Sequence, residues 1–365
     1  MRYDIARTAE VFTVTAVDAD FNDTARTVRI TGGSVELGAY TDTRMDATAD
    51  FEGADIPADG PVRIRYSFDA GGEHCEAVLA TGFATVGDVT FEGATASGSM
   101  TVESVLRPLA ADGPGYPFTV SASADAPSAL ALAEDICLRY VPRVQVTGES
   151  AWRPTSDHTF DAGDSWLAIV NWLLDGAGYA AAHPDPYGTV IMAPYVAPGA
   201  RPVTAEYATD SHSVIMPGVV RTVDGGGAVV RLSYADEACS LAASARIGGG
   251  ILTESVRESV DELAGGTAAG KLEALKALAA RRAVENAGST DKLRFKAAWR
   301  PMQPNDALSF DYVLRGTERI RDWRGTVASM QVSFEAGAPT DIEARRFVPA
   351  DASPTVEGSI LWQAT

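Results

Sequence analysis

Residues 161–179, DAGDSWLAIVNWLLDGAGY, give the clearest helical signal in this chain of 365 residues. Apolar side chains recur at the spacing of one helix face; they are Trp166, Ile169, Val170, Leu173 and Leu174. Asp164 is the predicted N-cap, and Gly176 or Gly178 is the predicted end, because glycine readily adopts the left-handed conformation that closes a helix. Five such side chains, each worth ~1.5 to 3 kcal/mol when buried, predict a helix that anchors a core.

The segments on either side of this helix predict a compact α+β domain over residues 123–199. On the N-terminal side, ADAPSALALAEDICLRYV (124–141) predicts a second helix with Pro127 and Ser128 near its start. On the C-terminal side, YGTVIMAPY (187–195) predicts a short strand that ends at the Pro- and Gly-rich VAPGARP.

Further towards the N-terminus, residues 10–120 have the rhythm of β-strands. Runs such as VFTVTAVDADF and RMDATADFEG alternate apolar and polar residues, as strands with one buried face do. PVRIRYSFDAGGEHCEAVLATGFATV (61–86) predicts a hairpin with its turn at AGGE. AADGPGYP (110–117) then breaks the pattern, so we predict a small antiparallel barrel or sandwich over residues 1–122.

After residue 200 the pattern returns to strands, with one helix among them. GVVRTVDGGGAVVRLSY (218–234) predicts a hairpin around DGGG, and GTAAGKLEALKALAARRAVENAG (266–288) predicts an Ala/Leu-rich helix. LRFKAAWRPMQPNDALSFDYVLRGTERIRDWRGTVASMQVSF (293–334) predicts three strands with a turn at RPMQPND. We predict a second β domain with a helical segment over residues 200–338 and a C-terminal extension over residues 339–365.

The chain is strongly acidic, with a formal net charge of −19 from 49 acidic and 30 basic residues. Residues 1–120 hold 19 of the acidic residues against 8 arginines and no lysine. This argues against a protein that binds nucleic acids through their phosphates, because such binding depends on Lys and Arg. An acidic surface keeps a protein soluble or repels polyanions, and both interpretations stay open.

Cysteine usage and the absence of apolar targeting segments set the expected compartment. The three cysteines, Cys75, Cys137 and Cys239, are widely spaced and fit a reducing compartment instead of a disulfide framework. MRYDIARTAE at the start lacks the apolar core of a signal peptide, and no apolar run reaches the roughly 18 residues of a membrane span. We expect a soluble protein that is made in a cytoplasm.

Two motifs resemble functional sequences but lack essential parts. GGTAAGKL (265–272) has the glycines and lysine of a phosphate-binding loop, but Leu272 stands where Ser or Thr would hold magnesium. The preceding SVRESVDEL (255–263) is polar and helix-like instead of a buried strand. GDSW (163–166) resembles the Gly-Asp-Ser block of some esterases, which need a histidine late in the chain, whereas the last histidine here is His212. We predict a helix start and a helix cap for these motifs.

Other clusters also have simpler structural interpretations. The four histidines, His74, His158, His183 and His212, show no metal-binding spacing. Asp157 and Asp161 flank His158 in the titratable loop TSDHTFDAGD, for which we predict turn and cap roles. RGTERIRDWRG (315–325) predicts a self-neutralising surface or a subunit interface, where Arg and Trp are favoured. We predict no catalytic, cofactor-binding or metal site.

The order of these segments resembles the hub, or tail-tip, proteins of bacteriophage tails and related injection machines. The most telling part is ALALAEDICLRYV followed by residues 159–195, where F-x-x-G-x-S-W enters a helix, Gly-Tyr follows it and a strand ends in Pro-Tyr. VRITGGSVELGAYTDTRMDATADFEG (28–53) is similar to a Gly-Ser turn and a strand that precede a further strand of that family. The resemblance covers most of residues 10–336, and it implies no lytic activity.

The resemblance implies an α+β, mainly β chain with two tail-tube-like antiparallel β-barrel domains, residues 1–122 and 200–338, separated by the α+β domain. Three chains would form a homotrimeric ring that connects the tail tube to the tip and lets DNA pass without specific binding. The implied partners are distal tail, tape measure and tip or fibre proteins, and the implied location is the virion tail tip. Acidic residues such as Asp20 and Asp50 would suit the wall of that channel, because they repel phosphates.

Two other classes of function remain open. A carbohydrate-binding receptor-recognition protein would use exposed aromatic residues as sugar platforms; the candidates are Trp152, Trp323 and Trp362. A cell-wall hydrolase would use Asp157, His158 or Asp161. The hub interpretation predicts a trimer of three 38.3 kDa chains, and the other two do not.

Overall fold

The computed structural model describes residues 7–54, 59–209, 214–224, 227–247, 252–260, 267–287, 289–313, 319–348 and 353–363. These described residues are mainly β-strand, with four α-helices. The chain forms two compact units, Met1–Val219 with Arg294–Ala344 and Val220–Leu293 with Arg345–Thr365. The mainly β, α+β class predicted from the sequence is confirmed.

Six long strands open the first unit: β1 (Arg7–Val17), β2 (Asp23–Gly38), β3 (Met45–Gly53), β4 (Gly60–Ala70), β5 (Glu73–Glu92) and β6 (Thr95–Ser104). Their antiparallel pairings close on themselves in the order β1–β4–β5–β6–β3–β2–β1. Alternate side chains point into the core between them, where Phe12 stacks on Tyr66 with ring centroids 4.6 Å apart. The strands predicted for this region are confirmed.

Glycines shape two places in these strands. The predicted hairpin is β4–β5, and its turn residues Gly71 and Gly72 have φ of 61° and 85°, the left-handed conformation that a tight hairpin turn needs. The Gly-Ser turn expected near residue 33 is wrong, because β2 runs through it as one strand with an irregular register. Gly33 has φ of 110°, and a Cβ there would lie 2.1 Å from the Thr48 carbonyl oxygen, so only glycine fits.

Three helices follow: α1 (Arg107–Ala111), α2 (Ala129–Leu138) and α3 (Trp166–Gly176). Both predicted helices, α2 and α3, are confirmed, and Ser128 Oγ caps α2 by accepting from the Ala131 amide at 3.3 Å. The N-cap predicted at Asp164 is wrong. Ser165 is the cap, since its Oγ accepts from the Ala168 amide at 3.1 Å, whereas Asp164 Oδ2 accepts from the Asp161 amide at 2.8 Å.

The helix α3 is the centre of a core beside the six strands. All five apolar side chains predicted for its inner face are buried, and they pack with those of α1 and α2. Short strands complete this region: β7 (Phe118–Val120), β8 (Val144–Val146), β9 (His158–Phe160), β10 (His183–Pro184) and β11 (Val190–Met192). The strand predicted in YGTVIMAPY is β11, and Gly178, with φ of 79°, follows the end of α3 as predicted.

The first unit also contains three strands from later in the chain: β12 (Val203–Ala208), β18 (Ala307–Val313) and β19 (Arg319–Ser333). The strands β17 (Ser289–Ala298) and β20 (Pro339–Val348) belong to both units, because the division falls within them, after residues 293 and 344. β12 pairs in parallel with β18, which pairs antiparallel with β19. β19 then pairs with the end of β2, from Ser34 to Gly38, beyond the residues of β2 that pair with β1. The three strands predicted between residues 293 and 334 are β17, β18 and β19, so this prediction is confirmed.

The second unit contains β13 (Val220–Asp224), β14 (Gly227–Ala235), β15 (Cys239–Ile247), β16 (Leu252–Ser259), α4 (Ala268–Ala287) and β21 (Thr355–Gln363). Four of these strands form a sheet in the order β16–β14–β15–β21. The predicted Ala/Leu-rich helix is α4, and its Leu275, Ala279 and Ala283 are buried against β14 and β15.

Two sequence predictions in this unit are wrong. The segment SVRESVDEL, which looks helix-like, contributes to β16, a strand that pairs in parallel with β14. The predicted hairpin over residues 218–234 does not form in the described residues, because β13 lies beside β17 in another sheet while β14 pairs with β15 and β16. In both cases a pairing with a distant segment replaces the local structure that the sequence favours.

The limits of the two compact units differ from the predicted domain limits. The units divide after residues 219, 293 and 344, whereas the predicted domains end at residues 122, 199 and 338. The closed set of six strands lies within residues 1–122. Two separate tube-like barrels and the four-domain division stay predictions.

Candidate functional site

Polar side chains cover the outside of three neighbouring strands, β2, β3 and β6. On β3, alternation buries Met45, Ala47, Ala49 and Phe51 and exposes the residues between them. Cross-strand pairing places the outward residues of β2 and β6 alongside. We call this surface the polar face, and its residues are Ser34, Glu36, Asp46, Thr48, Asp50, Glu52, Ser97, Ser99, Thr101 and Glu103.

The strand register orders this surface into rows. Glu36, Asp46 and Glu103 lie opposite one another in one row. The next row contains only hydroxyl side chains, those of Ser34, Thr48 and Thr101. β19 extends the surface, because Gln331 lies opposite Glu36 and its Nε2 donates to Ser34 Oγ at 3.0 Å. The polar face therefore presents five carboxylates among small hydroxyl side chains.

The row of three carboxylates makes ionisation unfavourable at its centre. The pKa of Asp46 is raised above its usual value, first by partial burial and then by the charges of Glu103 and Glu36. Arg107 opposes this shift, and its Nε lies 3.3 Å from Glu103 Oε1. A shallow cavity of about 430 Å³ lies over the row. This row of carboxylates repels anions, and Arg107 is the cation that pairs with it.

Replacing Asp46 by asparagine is expected to raise the melting temperature at neutral pH, because one of three crowded charges is removed. A pKa raised in the folded state means that ionisation favours unfolding, so this penalty is absent below the ordinary pKa of 3.8. We expect the gain in melting temperature to fall to zero as the pH is lowered to about 3. Circular dichroism melts across this pH range measure the gain.

The matched control for this experiment is Asp50→Asn on the same strand. Asp50 lies opposite Gly32 and Ser99, so it has no acidic neighbour across the strands. We expect a smaller change in melting temperature than for Asp46→Asn. Equal changes in the two variants would show that the carboxylate row is not the cause.

The residues considered for a hydrolase have separate structural contacts. Asp157 Oδ1 accepts from the Ala122 amide at 2.7 Å. The His158 ring stacks on Trp172 with centroids 4.4 Å apart. The backbone amide of Asp161 donates to Asp164 Oδ2. These contacts fit the turn and cap roles that the sequence predicts for this loop.

The three tryptophans considered as sugar platforms differ in exposure. Trp323 is 1 % exposed, so its part of that hypothesis is wrong. Trp152 is half-buried, and its ring meets that of Trp172 at 5.8 Å. Trp362, on β21, is 52 % exposed and is the one accessible ring of the three.

The two motif-like sequences form helix starts. Ser165 of GDSW is the cap of α3 described above. In GGTAAGKL, Thr267 Oγ1 accepts from the Gly270 amide at 3.1 Å at the start of α4, and Lys271 Nζ pairs with Asp236 on the loop before β15. The helix start predicted for this motif is therefore present; Gly265 lies outside the described residues.

The remaining sequence candidates have separate contacts or lie outside the described residues. In RGTERIRDWRG, residues 315–318 lie outside the described residues, Arg321 and Asp322 are exposed, and the interface stays a prediction. His74 Nδ1 lies 2.9 Å from Asp69 Oδ1, and His183 Nδ1 lies 3.2 Å from the Ala181 carbonyl oxygen. His212 lies outside the described residues. The three cysteines are buried free thiols.

The part of the chain that the structure describes has neither a candidate metal site nor a candidate membrane-spanning helix. No group of three or more His, Cys, Asp and Glu side chains is placed to hold a metal ion. Within the same residues, no helix has both the length and the apolar character needed to cross a membrane.

Sequence reasoning finds only part of the polar face. Of the two acids named for a channel wall, Asp50 lies on it, but Asp20 lies in the turn between β1 and β2, where its amide donates to Asp18 Oδ1 at 2.9 Å. Glu36 and Glu103 are missed, because only the pairing of β3 with both β2 and β6 brings them to one row. In the sequence, the alternation of apolar and polar residues within each strand shows which side chains are exposed. It does not show which strand lies beside it.

Comparisons with known proteins give structural matches only. Neither a protein-family model nor the sequence of a curated protein matches this chain. The 43 kDa tail protein of prophage MuSo2 from Shewanella oneidensis matches with a TM-score of 0.58 at 13 % identity, over 94 % of this chain and 100 % of that one. A tail protein from Neisseria meningitidis MC58 matches with a TM-score of 0.57 at 12 % identity, over 94 % and 97 %.

A third match is to a chain of a protein complex from Francisella. A chain in the PdpA–VgrG complex of Francisella has a TM-score of 0.57 at 9 % identity, and the match covers 98 % of this chain but 55 % of that one. The chain thus has the fold of prophage tail proteins over nearly its whole length. The resemblance stated from the sequence is confirmed at the level of the fold.

Proposed function

We propose that this chain, with the fold of prophage tail proteins, is a structural hub or tail-tip protein of a phage tail or a prophage-derived injection machine. The observation that carries the proposal is the length of the match. The fold agrees over 94 % of this chain and the whole of the Shewanella prophage tail protein. The protein acts by assembly and not as an enzyme, and it resides in the virion tail tip.

The assembled form is a homotrimer in which each chain supplies two tube-like β-barrels to a ring. The closed pairing of β1 to β6 supports the first of these barrels. Each of these strands pairs with a neighbour on both edges, as strands of a closed barrel do. A ring of three chains is a closed, cyclic assembly, the common solution for soluble oligomers. The ring joins the tail tube to the tip, with distal tail, tape measure and tip or fibre proteins as partners.

The polar face lines the channel of this ring. Its five carboxylates are balanced only in part, by Arg107 beside Glu103 and by Arg29 opposite Glu52. Phosphates that pass such a wall find few cations that could release their counterions, so DNA slides without sticking. Small Ser and Thr side chains between the acids keep the wall smooth and hydrated.

Spin-label distances in the purified trimer test this placement. The three natural cysteines are buried, so a cysteine introduced at the surface is labelled selectively. A residue on the channel wall lies closer to the threefold axis than one on the rim, so labels at Asp50→Cys should be closer together than labels at His74→Cys. His74 is the control because it is exposed at the β4–β5 hairpin, away from the polar face.

Light scattering on the same samples tests the assembly itself. A mass of three times 38.3 kDa is expected for the wild-type chain. A monomer at micromolar concentration would contradict the proposed trimeric ring. If the protein is a trimer but its Asp50 labels are farther apart than its His74 labels, the result would agree with the ring. It would contradict the proposal that the polar face lines the channel.

A further inference from the structure

A second site lies inside the first unit. A cavity of about 440 Å³ opens between the β2–β3 connection, β5 and the loops around residues 180–204 and 303–307. This volume lies within the range of small-molecule sites, ~300–1,000 Å³. Its lining is mostly aliphatic, and it includes Leu37, Met45, Leu79, Ile191 and several prolines.

One cation at this cavity, Arg44, has no hydrogen-bond or ion-pair partner among the described residues. Arg44 lines the cavity, and its Nε is buried without a hydrogen bond. Burial lowers the pKa of Arg44, and Asp42, the acid that opposes this shift, forms no ion pair with it among the described residues. A buried donor atom without an acceptor is costly, because its hydration is lost and no hydrogen bond replaces it. The Arg44 side chain as a whole is half-buried.

The backbone of Arg44 shows that this position is held by its surroundings. Its φ is 68°, a left-handed conformation that is uncommon for residues other than glycine. Its carbonyl oxygen accepts from the Gly38 amide at 2.9 Å, which closes the loop between β2 and β3. This hydrogen bond and the left-handed backbone define the turn that carries the Arg44 side chain.

The other charged groups at the cavity are already engaged. Arg201 donates to the carbonyl oxygens of Val196 at 2.9 Å and Asn305 at 2.5 Å. Asp306 Oδ2 accepts from the Gln303 amide, and Asp185 Oδ1 accepts from the Thr189 amide, each at 2.8 Å. Arg44 is thus the lining cation left to receive an anion.

We propose that this cavity binds a small organic carboxylate, with an aliphatic or aromatic body against the apolar lining and an acid group paired with Arg44. A guanidinium receives a carboxylate through two parallel hydrogen bonds, which gives both affinity and orientation. The cavity has room for a body of roughly ten heavy atoms, consistent with small-molecule sites of this size.

Calorimetric titration with three probes of equal chain length tests the proposal: octanoate, 1-octanol and octylamine. We expect octanoate to bind, octanol to bind about tenfold or more weakly, and octylamine not to bind, since only the carboxylate complements Arg44. Absence of octanoate binding, or equal binding of octanoate and octanol, would overturn the proposal.

Variants locate the binding within the cavity. Arg44→Gln should reduce octanoate affinity to that of octanol, and Arg44→Lys should give an intermediate value, because a lysine keeps the charge without the paired geometry. Arg29→Gln, an exposed arginine on β2, is the matched control and should leave the affinity unchanged. Ala193→Leu, which fills the cavity, should weaken both octanoate and octanol. Octanoate binding that survives in Arg44→Gln would refute the site.

Discussion

The double variant Leu361→Ser, Trp362→Ser is expected to be a monomer at concentrations where the wild-type chain forms the proposed trimer. Both side chains lie on β21 and are 64 % and 52 % exposed, and the neighbouring Ile360 is 40 % exposed. β21 is the edge of its sheet and pairs only with β15 among the described residues. An edge strand with adjacent apolar side chains is a surface suited to another copy of the chain.

The expected loss of affinity between chains follows from the cost of truncating two apolar side chains at an interface. Tryptophan is a frequent interface hot spot, and its truncation costs about 2 kcal/mol or more. With the leucine added, the loss at each interface is about 3–4 kcal/mol, or roughly a hundredfold to a thousandfold in affinity. A trimer closes through three such interfaces, so the loss repeats around the ring.

Light scattering at several concentrations measures the oligomeric state of this variant. Tyr116→Ser is the matched control, because Tyr116 is also an exposed aromatic residue, at 64 %, but lies in a loop. The control should stay trimeric. A trimeric double variant would show that the chains associate through a different surface, and a monomeric control would show that any loss of exposed aromatic area has this effect.

The sequence predicts elements well where local signals agree with distant contacts. Helix α3 is found because its five apolar positions have one period and one buried face. Its cap is missed by one residue, because Asp164 and Ser165 are both suitable caps and the choice depends on a distant contact. The Trp166 amide donates to the Asp112 carbonyl oxygen at 2.9 Å, which fixes where the helix begins.

The sequence fails where a distant segment decides the local structure. β16 is polar, and it becomes a strand by pairing in parallel with β14, where Val256 lies opposite Val230. The polar face has the same origin, since Asp46 meets Glu103 only through the pairing of β3 with β6. Alternation along a strand is visible in a single sequence, but the identity of its neighbour is not.

The variant Asp291→Asn is expected to destabilise the second unit by about 2–4 kcal/mol, because it removes a buried carboxylate that pairs with two arginines. Asp291 lies on β17 and is 1 % exposed. Arg221 on β13 donates to both of its carboxylate oxygens at 2.8 Å, and Arg346 on β20 donates to Oδ2 at 2.8 Å. Asparagine keeps the shape but leaves one amide group to satisfy two guanidinium groups.

The magnitude for Asp291→Asn lies below that of a fully buried pair because water reaches the arginines. Their side chains are 39 % and 34 % exposed, so part of their hydration returns when the aspartate is lost. Denaturant unfolding followed by circular dichroism measures the loss. Asp341→Asn is the control, because Asp341 pairs with Lys296 at 3.2 Å on the surface, where such a pair contributes about 0–1 kcal/mol. If the free energy of unfolding falls by less than about 1 kcal/mol in both variants, the buried carboxylate does not hold these three strands together.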